Sequence, residues 1–209
     1  HSTSRRQRQM CIRDRYKEKG FTSHDVVAKL RGIVGQKKIG HTGTLDPDAT
    51  GVLPVCLGKA TKLCDLLTDK NKTYEAVLLL GKTTDTQDIT GEVLEEKSTE
   101  ALTEEKVREA IEGFIGDYEQ IPPMYSALKV NGKKLYELAR EGKVIERKAR
   151  PVKILDIQIL EIDLPKVRME VSCSKGTYIR TLCHDIGEKL GCGGCMESLI
   201  RTRAVSYTH

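Results

Sequence analysis

A chain of 209 residues, 38% of them hydrophobic, is long enough to bury one catalytic-size core without disulfide or metal staples. No apolar run approaches the ~18 residues needed to span a bilayer, and the arginine-rich opening lacks the apolar stretch of a secretory leader, so membrane-spanning and exported classes are set aside and a cytoplasmic location is expected. The net charge of +5 decides little, because residues 1–15 carry five arginines against Asp14, a balance of +4 that leaves +1 for everything else.

In chain order, Thr22 or Ser23 can cap a helix whose apolar positions Val26, Val27, Leu30, Ile33 and Val34 follow the 3.6-residue period and stop near Gly35. Residues 40–54, Gly-His-Thr-Gly-Thr-Leu-Asp-Pro-Asp-Ala-Thr-Gly-Val-Leu-Pro, come next. Their glycines and prolines frame Asp46 in backbone expected to be neither helix nor regular strand. Glycine permits positive φ and close approach, and Pro47 fixes φ and removes a donor, which suits presenting a side chain. An Asp-Pro pair is also a common turn initiator, and local chemistry leaves both readings open.

Ala60, Leu63, Cys64 and Leu67 then mark a short helix, residues 74–80 a buried strand, and Leu102, Val107, Ala110, Ile111 and Phe114 a third helix. Residues 128–130 with Asn131-Gly132 have hairpin-turn chemistry, followed by a short helix through Leu135, Leu138 and Ala139. Residues 152–162 read as a strand. Val167, Met169, Val171 and Cys173 alternate with polar residues at period two, and from Thr177 the spacing of Ile179, Leu182, Cys183, Ile186 and Leu190 is helical, with Arg180 in the first turn off the buried stripe. Helices and strands without a βαβ rhythm predict an α+β fold, a mixed and largely antiparallel sheet with flanking helices.

Charge is segregated. Residues 129–153 hold nine basic and three acidic side chains, and residues 95–119 nine acidic and three basic, giving one segment able to meet phosphate and one turned away from it. Both also fit ordinary solvated faces. Seven cysteines, an odd number, are expected reduced. The Cys192-Gly-Gly-Cys195 pair has no second ligand pair to complete a zinc site, so no metal is expected.

The loop at residues 40–54 closely resembles the signature of the TruB family of tRNA pseudouridine synthases. Four further segments match in order: Lys72-Thr73-Tyr74-Glu75-Ala76, Gly81-Lys82-Thr83-Thr84-Asp85-Thr86-Gln87-Asp88, the run from Gln120 through Pro122, Pro123, Met124, Tyr125, Ser126 and Leu128 to Lys129, and Cys173-Ser174-Lys175-Gly176-Thr177-Tyr178-Ile179-Arg180-Thr181. The resemblance covers residues 20–203. It implies the pseudouridine synthase fold, and conversion of uridine 55 in the T-loop of tRNA to pseudouridine.

That isomerisation breaks the N1 to C1′ bond, rotates the uracil and joins C5 to the same carbon, with no redox change. It therefore implies a carboxylate and no cofactor. The resemblance makes Asp46 the essential anion, attacking C1′ or removing the C2′ proton, two routes that stay open. It makes Arg180 the cation that keeps this carboxylate ionised where water is excluded. Tyr74 would stack on the uracil and relay the C5 proton, and His41 would fill the gap left by the flipped base. Tyr178, Leu199 and Lys17 join the expected substrate-binding set. The T-arm of tRNA is the implied partner, with no membrane, no obligatory protein partner and a monomeric enzyme. A tRNA-folding chaperone without chemistry is the alternative. A glycosidase would need a second acid, and Asp48 is the only carboxylate close in sequence.

Both ends depart from the family pattern. Residues 1–15 are polar and unpatterned and Lys17-Glu18-Lys19-Gly20 replaces Lys-Pro-x-Gly. Residues 1–16 are therefore expected to be non-native or disordered with the opening strand missing, residues 17–203 to form the catalytic domain, and residues 204–209 to be a non-native tail in place of a PUA-like module.

Overall fold

The computed structural model describes residues 11–130 and 132–204. The described residues divide into two compact units, the first formed by those up to Tyr74 together with those from Ile200 on, the second by those from Glu75 to Leu199.

The first unit opens with strand β1 (Ile12–Lys17), helix α1 (Ser23–Val34), strands β2 (Ile39–His41) and β3 (Thr50–Leu57), a 3-10 turn (Gly58–Leu63) and helix α2 (Cys64–Thr68). Thr22 caps α1 in a reciprocal box with Asp25, and Gly35, at φ 63°, ends it as the sequence predicts. Val27 and Leu30 pack with Ile39, Val55 and Leu57. Ile33 departs from the prediction and is exposed at 72%, because it lies about 120° round the helix from Val27.

β1 corrects one part of the expectation for the N-terminus, the missing strand. Residues 12–17 pair antiparallel with β3, from Ile12 opposite Cys56 to Lys17 opposite Gly51. Its pairing is made by the backbone, while Arg13, Asp14, Arg15 and Tyr16 are all exposed, so no burial alternation marked it in the sequence. β1 ends the strand order, and charged side chains suit an edge. Residues 1–10 and 205–209 lie outside the described residues, as does Asn131 of the predicted hairpin turn.

The second unit contains most of β4 (Lys72–Leu80), then β5 (Lys82–Thr84), β6 (Val93–Glu96), α3 (Glu104–Glu112), β7 (Gly116–Gln120), β8 (Lys129–Val130), β9 (Lys133–Lys134), α4 (Leu135–Arg140), β10 (Arg150–Asp163), β11 (Lys166–Cys173), α5 (Ile179–Lys189) and most of β12 (Gly194–Arg203). Its strands run in the order β12-β4-β11-β10-β7, with β10 antiparallel to both neighbours. The alternation read in β11 is observed, Val167, Met169, Val171 and Cys173 being buried, and so are the helices predicted at α3, α4 and α5. The fold is α+β, as expected.

The last residues of β12 belong to the first unit, where Ile200 and Arg201 pair parallel with Thr50 and Gly51 of β3. Gly51 sits at φ 111°, and a Cβ there would come within 2.6 Å of the Arg201 amide nitrogen and closer still to its carbonyl oxygen. Gly51→Ala is therefore expected to lower stability by at least about 1–3 kcal/mol from backbone strain, with the lost strand approach adding to it. A thermal melt indistinguishable from that of the unaltered protein would contradict this.

All seven cysteines are free thiols. No helix among the described residues is long and apolar enough to cross a membrane.

Candidate active site

Strands β2 and β3 take in both ends of the glycine- and proline-framed stretch, so the irregular part shrinks to residues 42–49. Nearly every turn of this loop is fastened. Ser23, at the start of α1, receives the Leu45 N–H on its Oγ at 2.9 Å. The Thr42 N–H donates to the Pro54 carbonyl, the Ala49 N–H to that of Asp46, and the Gly20 N–H to that of Pro47. Leu45 and Ala49 are buried. These anchors leave Asp46 half-buried while its neighbour Asp48 is exposed and lies 3.9 Å from Lys19. Of two carboxylates close in sequence, only Asp46 is set partly inside.

Two buried cations complete the fastening. Lys17 is fully buried, and its ammonium donates to the carbonyls of Glu18 at 3.0 Å, Phe21 at 2.7 Å and Pro47 at 3.0 Å. Expected among the substrate-binding residues, Lys17 has its three protons engaged by the chain itself. Through the Pro47 carbonyl it ties down the chain one residue beyond Asp46. Burial lowers its affinity for the proton, opposed by the charges of Asp48 and Asp46. The second cation, Arg201, donates from Nε to the Val52 carbonyl at 2.8 Å and from Nη2 to the Gly43 carbonyl at 3.2 Å.

His41 stands at the entrance to the loop, half-buried. Burial first, then the charges of His24 and Arg201, lowers its pKa and favours the neutral imidazole. Tyr74 is buried on β4, and the preceding Thr73 carbonyl accepts a hydrogen bond from the Thr202 hydroxyl at 3.3 Å.

The other expected residues belong to the second unit. Arg180, placed by periodicity off the buried stripe of α5, is only 5% exposed. Its guanidinium donates to the Thr86 and Tyr125 carbonyls, each at 2.9 Å, and lies 3.5 Å from the Asp88 carboxylate. Two of the matched segments, those containing Thr86 with Asp88 and Tyr125, thus converge on it. Asp88 is fixed in turn by the Thr86 hydroxyl at 2.8 Å and the Thr90 N–H at 3.0 Å. Gln120 brackets Tyr178, accepting from its N–H at 2.8 Å and donating to its carbonyl at 3.0 Å. Leu199 is buried on β12.

Sequence reasoning missed Asp88, Gln120, Ser23 and Arg201 as individuals. Asp88 and Gln120 lie within matched motifs, a signal that could have found them. Arg201 had none, being one of two arginines in a short basic run. Among the described residues no cluster of His, Cys, Asp and Glu has the arrangement of a metal site.

The fastened loop holds one partly buried carboxylate in an α+β fold, and the chain belongs to the TruB family of pseudouridylate synthases. The family's N-terminal domain matches residues 31–179, and the tRNA pseudouridylate synthase B C-terminal domain matches residues 180–209, a span that includes the stretch expected to be a foreign tail. More particularly, the chain is 68% identical over 201 residues to tRNA pseudouridine synthase B of Lachnoclostridium phytofermentans, covering 92% of this chain and 65% of the relative. It is 56% identical over 192 residues to the protein of that name from Alkaliphilus oremlandii, covering 92% and 64%. The chain thus spans somewhat under two thirds of the length of these relatives. Among solved structures, a Cbf5-Nop10-Gar1 complex contains a chain that superposes with a TM-score of 0.73 at 35% identity, covering 94% of this chain and 49% of that one. An H/ACA RNP bound to a substrate RNA containing 2′-deoxyuridine gives 0.68 at 32%, covering 92% and 47%.

Proposed function

We propose that this chain carries the chemistry of a tRNA pseudouridine-55 synthase, isomerising uridine 55 of the T-loop with Asp46 as the essential anion. The observation that carries the reading is the fastening of residues 42–49, which holds one carboxylate half-buried while the next is left in water. The names borne by relatives at 56–68% identity support the same reaction. In it, Tyr74 stacks on the uracil and relays the C5 proton, and Arg180, the arginine of the matched Lys-Gly-Thr-Tyr-Ile-Arg segment, is the cation that serves the Asp46 carboxylate. His41 fills the space of the flipped base as a neutral ring, so that no charge is stranded there. Tyr178 and Leu199 complete the contact with the base. The enzyme acts as a monomer in the cytoplasm, on the T-arm of tRNA, and needs no cofactor.

Incubating the protein with an unmodified T-arm RNA, followed by carbodiimide labelling and mass spectrometry, tests this. One labelled pseudouridine at the target position is expected. RNA refolding without any labelled product would instead indicate a chaperone, and activity on simple glycosides a hydrolase.

The basic stretch of residues 129–153 supplies a further test. Arg147 is tied to the Pro122 carbonyl at 3.1 Å, whereas Lys133 and Lys148 are exposed and Lys134 half-exposed. Neutralising Lys133, Lys134 and Lys148 together is expected to weaken RNA binding and reduce the slope of log affinity against log salt by about 2–3, with the rate of the bound complex little changed. An unchanged slope would mean that this segment is an ordinary solvated face.

A further inference from the structure

Arg201 is 1% exposed, and an arginine buried to that degree is a poor choice for stability alone, since an apolar side chain of similar volume does as well or better. Its contacts are not those of a salt bridge. Nε and Nη2 reach the carbonyls of Val52 and Gly43, one on each side of Asp46, while Nη1 is buried without a hydrogen-bond partner. The backbone delivers the guanidinium to this place. Arg201 pairs with Gly51 in the parallel contact of β12 with β3, at an approach that only a residue without a Cβ permits. With the Lys17 ammonium on the Pro47 carbonyl, the loop is held by cations at three peptides around the carboxylate.

We propose that Arg201 is a positioning residue for Asp46: its planar fork fixes the spacing between the two ends of the loop and so the place of the carboxylate, without itself touching RNA. The proposal rests on the functional reading above. A lysine at this position keeps the charge but is a single point donor, unable to hold the two carbonyls in the geometry of the fork. Displacement of a reacting group by about 1 Å can cost roughly 10²-fold in rate.

The test compares Arg201→Lys and Arg201→Gln with the unaltered chain in three measurements: single-turnover pseudouridine formation at saturating enzyme, affinity for the T-arm RNA, and thermal melting. Val27→Ala, a core change beneath α1, is the control for lowered stability. Expected for both Arg201 variants is a single-turnover rate lower by about 10- to 100-fold per folded molecule, RNA affinity within about threefold, and, for Val27→Ala, an unchanged rate at temperatures where it is folded. A variant rate equal to the unaltered rate overturns the proposal, as does a loss confined to affinity. If neither variant folds, amide exchange of residues 43–52 in the unaltered protein decides: protection no better than that of an exposed loop overturns it. Absence of product from the unaltered chain is seen before any variant is compared, and defeats the functional reading rather than the role of Arg201.

Discussion

Replacing Asp46 by asparagine is expected to reduce pseudouridine formation by at least about 10³-fold, to background, while leaving RNA affinity within a few-fold. The substitution removes one negative charge and almost no volume. Bonds made by other groups hold its loop, namely Ser23 with Leu45, Lys17 with Pro47, and Arg201 with Gly43 and Val52, so the loop is expected to keep its shape and the loss to be chemical. Asp48→Asn is the matched control: exposed and beside Lys19, it is expected to change the rate by less than about threefold. Turnover by the Asp46 variant above background, measured by carbodiimide labelling and mass spectrometry, would remove Asp46 from the mechanism.

Arg180 is expected to show the second largest effect, with a larger structural component than a first-turn helical arginine would suggest. Arg180→Met deprives the Thr86 and Tyr125 carbonyls of their donor and leaves Asp88 without its nearby cation. Breaking a buried charged pair from one side costs about 3–5 kcal/mol, so a lower melting temperature accompanies the loss of activity. Arg180→Lys separates the two effects: the charge stays, the fork is lost, and the rate at saturation is expected to fall by about 10²-fold in protein that is still folded. A defect only in RNA affinity, with the bound complex reacting normally, would make Arg180 a phosphate contact.

What could be read from the chain alone follows a simple division. Helix α1 with its Thr22 and Gly35 ends, the alternation of β11, the stripe of α5 and the buried run of β4 were legible because each is written in residues a few positions apart. The motif around Asp46 was legible for the same reason: glycine and proline constrain their own dihedral angles, whatever surrounds them. Strand β1 was not, because an edge strand of Arg13, Asp14 and Arg15 is held by backbone pairing to β3, about 40 residues on, and buries almost no side chain that a pattern could reveal. The burial of the three cations was not legible in the spacing of residues. Lys17, Arg180 and Arg201 carry side chains that normally face water, and only the folded chain supplies the carbonyls that replace it: Pro47 for Lys17 from 30 residues away, Thr86 and Tyr125 for Arg180 from 94 and 55, and Gly43 and Val52 for Arg201 from 158 and 149. The sequence by itself determined the glycine- and proline-constrained stretch around Asp46, while the choice of Asp46 rested on the family resemblance. The tertiary structure decided what holds that loop in place, because a buried charge is stable only where distant parts of the chain bring their dipoles to it.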